Sequence, residues 1–376
     1  MTTRTASVVV VGGGLLGCAV AFHLAQSGVQ TTLIERDGVG AHASGNNPGN
    51  LNPILGTPPA LVALALQSFA LHRAWAEELA ERCSTDYELR PVRRILLAFD
   101  ETERLDLKRT ACSFADVDGF SASSIDADAL FRREPGLSRR ACAGLLLEGN
   151  LSVYSRAMNR ALAEGAARCG ATLMRRQVVG IKRRASSIVG VHTPEGLVAG
   201  DAVVFATGAW VGPPDKWLNF DSQVTPLKGE MLRMKLPGPG LDHDVTRGLI
   251  SLYRRSGDEC WVGVTQQSCG LDETPSEDGR HQLLAGAESI FPTIRQATLL
   301  EHVASVRPVC RSGLPVVGRV PGWDNAYIVN GGGSKGVLLC TGLGMAISEL
   351  IRAGATRLSV DAFSAQAASE NSQTRA

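Results

Sequence analysis

The 376-residue chain lacks most of the features that would place it in a specialised class. Lys and Arg number 38 against 37 Asp and Glu, so no global field exists to recruit nucleic acid or an anionic membrane. The nine cysteines, at 18, 83, 112, 142, 169, 260, 269, 310 and 340, are scattered, odd in number and contain no C-x-x-C pair. That pattern suits a reducing compartment and argues against a zinc site or a disulfide scaffold. The seven histidines show no H-x-x-x-H spacing, so a metal centre is not expected. No apolar run is read as long enough to span a bilayer. The apolar stretch after Arg4 resembles a secretory leader, but the glycines that interrupt it are spaced for another purpose. The segment is therefore read as retained and the protein as cytoplasmic.

What is present begins at Ser7. Val8 to Val11 form an unbroken valine run, read as a strand buried on both faces. It leads into Gly12-x-Gly14-x-x-Gly17, then into an apolar stretch with helical spacing. A second β-run, Thr31 to Ile34, ends at Glu35-Arg36. Strand, glycines, helix, strand and acid in this order are the fingerprint of a dinucleotide-binding βαβ unit. Gly12 permits the turn, Gly14 lets a pyrophosphate approach the backbone with Leu15 and Leu16 following it, and Gly17 lets helix and strand close up. The helix N-terminus supplies free N–H groups, and Glu35 sits where ribose hydroxyls would be.

Gly38 to Pro59 is too rich in turn formers to be regular and too long for a connector, so a ligand is expected to order it. A helix is expected over 60–82, short strands and acidic helices from 87 to 147, and a helix from Arg156 to Gly170. Asp201 to Trp210 reads as a second buried strand, ending in Thr207-Gly208. Residues 221–300 carry antiparallel strands of another sheet. Buried strands return after 303, and a glycine run, Gly331 to Gly333, precedes Ser334-Lys335-Gly336 and a last apolar helix. The expected fold is α/β (α+β overall): a discontinuous Rossmann-like domain of residues 1–85, 148–220 and 301–360, interleaved with an antiparallel-sheet substrate domain of 86–147 and 221–300. Residues 361–376 read as a frayed tail.

These segments, in this order, resemble the D-amino-acid oxidase superfamily of FAD oxidoreductases, in particular its glycine oxidase and sarcosine oxidase branches. The marks are the Gly12–Gly17 turn with Glu35-Arg36, Ala43-Ser44-Gly45, Ala206-Thr207-Gly208-Ala209-Trp210, Pro226-Leu227-Lys228-Gly229, Arg307-Pro308, Gly313 to Gly318, and the glycine run ending at Gly336. The resemblance implies FAD lying extended, its ADP on Gly12–Gly17 and Glu35, with Val179 offering backbone near the adenine. The flavin would be flanked by 43–51, with Ser44, Gly45 and Asn46, and by Gly331, Gly333, Ser334, Lys335 and Gly336. It also implies hydride transfer from Cα of a small amino acid or N-substituted glycine, with the imine then hydrolysed. Arg307 would hold the substrate carboxylate, a structural ion pair being the plainer alternative. Lys335 either brings positive charge to the flavin or is a surface lysine, and Tyr253 either lines the pocket or packs in the sheet.

The chain also departs from the pattern. Gly332 stands where glycine oxidases usually carry histidine, Leu338 where sarcosine oxidases carry a lysine, and Cys310 falls past the cysteine that tethers flavin, so noncovalent FAD is expected. Alternative readings are an opine or D-amino-acid dehydrogenase feeding a non-oxygen acceptor, or a flavoprotein subunit without turnover. A third follows from Ala43-Ser44-Gly45-Asn46 and Gly333-Ser334-Lys335-Gly336, which resemble the oxidase domain acting on a carboxymethylaminomethyl group of a tRNA base. The lack of a basic footprint weighs against nucleic acid. A small-molecule substrate and oxygen or another electron acceptor are the expected partners, with a homo-oligomer left open.

Overall fold

The computed structural model describes residues 7–373; Arg4 and the last residues of the tail, 374–376, lie outside them. Ser7–Val11 forms the centre of a six-stranded sheet, between Ala202–Phe205 and Gln30–Glu35, both parallel to it. Thr172–Arg175 lies beyond Gln30–Glu35. Ala326–Asn330 and then the antiparallel Val316–Arg319 extend the other side. The valine run is continuous because its two faces feed two cores. Val8 and Val10 pack with the helices Leu15–Gln26, Ser155–Arg168 and Gly336–Ala353. Val9 and Val11 pack against Ile188, Val191 and Phe220 on the opposite side, where Gly180–Arg184, Ser187–Thr193 and Gly196–Ala199 form a small antiparallel sheet. A parallel strand covered on both sides has no polar face to show.

The second sheet is nine-stranded and mostly antiparallel, joined to the first by the interleaved chain. Its long edge pair is Val224–Lys235 against Thr298–Cys310, and its middle holds Glu259–Gly263, Ile250–Arg254, Asp244–Arg247 and Arg90–Ala98. The discontinuous Rossmann-like domain with an interleaved sheet domain is therefore what the chain forms. Two strands straddle the boundaries expected at 147/148 and 300/301: Ala143–Ser152 and Thr298–Cys310 both lie in the second sheet. Arg307 thus projects from the substrate sheet, not from the nucleotide domain.

The segment expected as a frayed tail is ordered to Gln373. A short turn of 3-10 helix, Asp361–Phe363, leads into the helix Ala365–Gln373, and Phe363 and Ala365 are buried. Another difference concerns length. Gly333–Ala353 has 21 residues and a mean hydropathy of 1.4, long and apolar enough to cross a membrane by length and composition. In the fold it is a core helix: Leu338, Leu339, Leu343, Ala346 and Ile347 are fully buried between the helices Leu15–Gln26 and Pro59–Arg82. Its apolar middle is packed among these helices, while its C-terminal end, with Arg352 and Ala353, is exposed.

Candidate functional site

The glycine turn is built by contact rather than by sequence habit. Gly12 has φ +110°, and a Cβ there would lie 2.3 Å from the Ala206 carbonyl oxygen. One at Gly17 would lie 1.9 Å from the Gly12 oxygen. The turn is pinned from below by Asn159, whose Nδ2 donates to the Gly13 carbonyl at 3.1 Å, and from the side by Ser44, whose Oγ accepts from Leu15 N at 2.9 Å. The buried Cys18 also leans on the Gly13 oxygen, and burial raises its thiol to about 12, so it is an inert packing group. Glu35 accepts from Gly13 N at 2.6 Å and from Asp37 N at 2.7 Å, which sets its carboxylate over the turn at the mouth of a cavity.

That cavity runs from Glu35, Arg36 and Trp210, past Thr207 and Gly208, to the turn. Gly14, Ala43, Ser44, Ala206, Gly208 and Pro308 also line a second cavity of about 360 Å³, so the two are continuous. The second is walled by Leu15, Leu16 and Asn46 on one side and by Gly333, Ser334, Lys335 and Gly336 on the other, with Arg307 and Tyr253 from the substrate sheet. Two helix N-termini, those of Leu15–Gln26 and Gly336–Ala353, border this channel, and neither has an acid in its first turn. A long channel, two helix ends free of acid and glycines that leave no room for side chains fit an extended dinucleotide such as FAD.

Of the residues expected at the cofactor, four do not line the channel. Gly17 and Gly45 serve close backbone packing, a Cβ at Gly45 falling 2.2 Å from the Gly40 oxygen. Gly331, at φ +74°, lies over the Cys310 sulfur. Val179 is half exposed, and its N–H is given to the His192 oxygen at 2.8 Å. Arg176, Gln177 and Val178 line the channel in its place.

The inner end of the channel is strongly cationic. Arg307 crosses the face of Gly229, where a Cβ would meet its Nη2 at 1.8 Å. It donates to the Thr265 oxygen at 3.1 Å and forms no ion pair among the described residues. Burial lowers its proton affinity, with Tyr253 opposing. Tyr253 is buried and faces the cavity. Lys335 is not a surface lysine: its Nζ donates to the Asn52 and Leu55 oxygens at 2.9 and 2.7 Å. Burial first, and Arg94 second, lower it to about 8. Arg94 was missed from sequence. It is 6% exposed, lies over the Tyr253 ring and is paired with Asp244 at 2.9 Å, its neighbour in strand register. A charged residue opening the apolar run Ile95–Ala98 was the available signal. Gln266, Ser305 and Asn52 also line the cavity and carried none.

His42 ties the two domains together above the channel. Its Nδ1 lies 2.6 Å from Glu273 and its Nε2 2.9 Å from Asp37, with the ring against Trp210 at 4.3 Å. The Glu273 hydrogen bond leads in holding its pKa above the usual value, against burial.

A family model described as DAO, FAD dependent oxidoreductase, matches residues 7–350. The glycine oxidase of Geobacillus kaustophilus (strain HTA426) is 31% identical over 366 residues, covering 96% of this chain and 97% of that protein. That of Pseudomonas aeruginosa is 29% identical, covering 88% and 91%. The crystal structure of glycine oxidase from Geobacillus kaustophilus superposes with a TM-score of 0.90 at 30% identity, covering 96% of this chain and 98% of that one. L-proline dehydrogenase from P. horikoshii has the same fold, with a TM-score of 0.87 at 21% identity and 98% coverage of each chain.

Proposed function

Because this chain belongs to the DAO family of FAD-dependent oxidoreductases, we propose that its inner cavity oxidises the C–N bond of a small amino acid or N-substituted glycine. The observation that carries this reading is Arg307: a guanidinium inside a cavity, facing no protein anion, is a receptor for a carboxylate. The names of the glycine oxidases that resemble the chain support the same class.

FAD, when bound, supplies the acceptor for the hydride that leaves Cα. The Gly12–Gly17 turn, Ser44, Thr207-Gly208 and the start of the Gly336 helix would hold it. We assign it as noncovalent, since no cysteine lines the channel among the described residues and Cys310 is buried beneath Gly331. The protein's share of the chemistry is placement. Arg307 orients the carboxylate, Tyr253 and Gln266 bound the side chain, and the enclosed walls exclude water. Among the described residues lining this cavity there is no Asp, Glu or His. The amine therefore enters uncharged, its proton left to solvent, and loss of hydride leaves an iminium that water hydrolyses to the oxo acid and amine.

The test is anaerobic bleaching of the flavin by a panel of amino acids and N-substituted glycines, followed by aeration. Bleaching with peroxide release on aeration supports an oxidase. Bleaching that only an artificial dye or quinone reverses supports a dehydrogenase. No bleaching by any member refutes the reading.

A further inference from the structure

The charges of the inner cavity do not balance. Three cations line it: Arg94, Arg307 and Lys335. Asp244, behind the wall, neutralises Arg94. Nothing neutralises the other two: Arg307 donates to one carbonyl and Lys335 to two, and neither has an acid within ion-pair distance among the described residues. A carbonyl orients an ammonium without cancelling its charge. Burying a cation with no anion is costly, and the lowered proton affinity of Lys335 records that cost. Its third N–H has no protein acceptor among the described residues. A monocarboxylate amine seated on Arg307 would satisfy only one of the two charges.

Resting on the C–N oxidation proposed above, we infer that the preferred substrate is an amine carrying two carboxylates, the first held by Arg307 and the second by Lys335. Such a ligand makes the cavity neutral, whereas glycine or N-methylglycine leaves Lys335 uncompensated. Arg94, already paired, serves as a wall and keeps Tyr253 in place through its stacking contact. A substrate ammonium would be repelled by the same field, in keeping with an amine that enters uncharged.

The experiment uses the holoenzyme and ligands that cannot be oxidised. Acetate, malonate, succinate and glutarate are titrated by calorimetry and by perturbation of the flavin absorbance, and iminodiacetate is compared with N-methylglycine as substrate. At least one dicarboxylate should bind about tenfold or more tighter than acetate, as expected for one added charge-assisted contact. In K335M, and in K335Q, which keeps donors for the Asn52 and Leu55 carbonyls, the ratio should collapse to within about threefold. In K335R it should largely survive. The inference is overturned if the wild type shows no dicarboxylate preference, or if K335M and K335Q retain it. It is also overturned if these variants leave the ratio intact while changing the affinity of sulfite for the flavin, which would assign Lys335 to the cofactor. Should dicarboxylates bind through Lys335 while no amine bleaches the flavin, the oxidation falls and the two-anion site stands. Bleaching without the preference sinks this inference alone.

Discussion

Replacing Gly229 with alanine tests the carboxylate clamp without touching it. The new Cβ would lie 1.8 Å from Arg307 Nη2 and 2.5 Å from Cζ. Contacts under 3.0 Å do not persist, so the guanidinium must retreat by roughly 1.2 Å. It is the free end of a long side chain, and alanine suits a strand at least as well as glycine, so the fold should tolerate the change. Chemistry should not. Misplacement of a positioned group by about 1 Å costs on the order of 10²-fold, and outright loss of a buried charge contact about 2–5 kcal/mol, or roughly 30- to 5000-fold. G229A should therefore lower kcat/KM about 10²-fold, mainly through KM, while its flavin content stays at the wild-type level because Gly229 does not line the channel. The assay is flavin absorbance for occupancy, then anaerobic bleaching across substrate concentration. R307A should lose more, and G229A/R307A no more than R307A, since both act through one group. Unchanged kinetics in G229A, or additive losses in the double variant, would show that Arg307 does not hold the substrate.

Gly12→Val should yield colourless protein, because the side chain meets backbone at Ala206 and the left-handed φ is strained as well; retained flavin after gel filtration would contradict the phosphate-turn assignment. Lys335 sits at about 8 against an ordinary 10.5, so between these values the unfolded chain binds more protons and wild-type stability rises with pH. K335M should accordingly be the more stable protein below about pH 8, with its lead in Tm shrinking towards pH 10.5; a pH-independent difference would mean the lysine is not buried charged. His42 is raised above 6.5 by Glu273 and Asp37, and Arg36 also lies over the Trp210 ring. Its contribution is complete below 6.5 and lost as pH rises through its higher folded value. Flavin release, followed by fluorescence, should increase over that range in the wild type and lose this dependence in H42Q.

The nucleotide half was legible because its signals are local. Turn, helix and acid lie within residues 7–35, and Gly12, Gly13 and Gly14 answer to contacts now visible at Ala206, Glu35 and Ser44. The substrate half was not, because its walls come from residues 94, 253 and 307, brought together only by the order of strands in the second sheet. Thr298–Cys310 shows the difficulty: most of it falls in the span 301–360 expected for the nucleotide domain, yet it pairs with Val224–Lys235 along its length. Nothing in its own composition distinguishes the two partners, since either sheet would bury Val303 and Val306. The final helix shows a different ambiguity: an apolar stretch packed among protein helices passes the same test of length and composition as one that crosses a bilayer.

Of the site's charges, Arg307 and Lys335 were legible in the sequence and Arg94 was not, and the meaning of each depends on what it faces. Arg94 and Arg307 are both buried or half-buried arginines on the same sheet and touch the same cavity. Strand register gives the first an aspartate opposite and gives the second a glycine alongside. The first is therefore spent on structure, and the second is left for a ligand. Lys335 joins the second group only because the loop at Asn52 and Leu55 presents carbonyls where a carboxylate would have closed the account. The ligand's charge follows from what the protein withholds: two cations without a partner anion among the described residues call for two carboxylates, and the lack of acids among the described residues lining the inner cavity calls for an amine that carries no charge of its own.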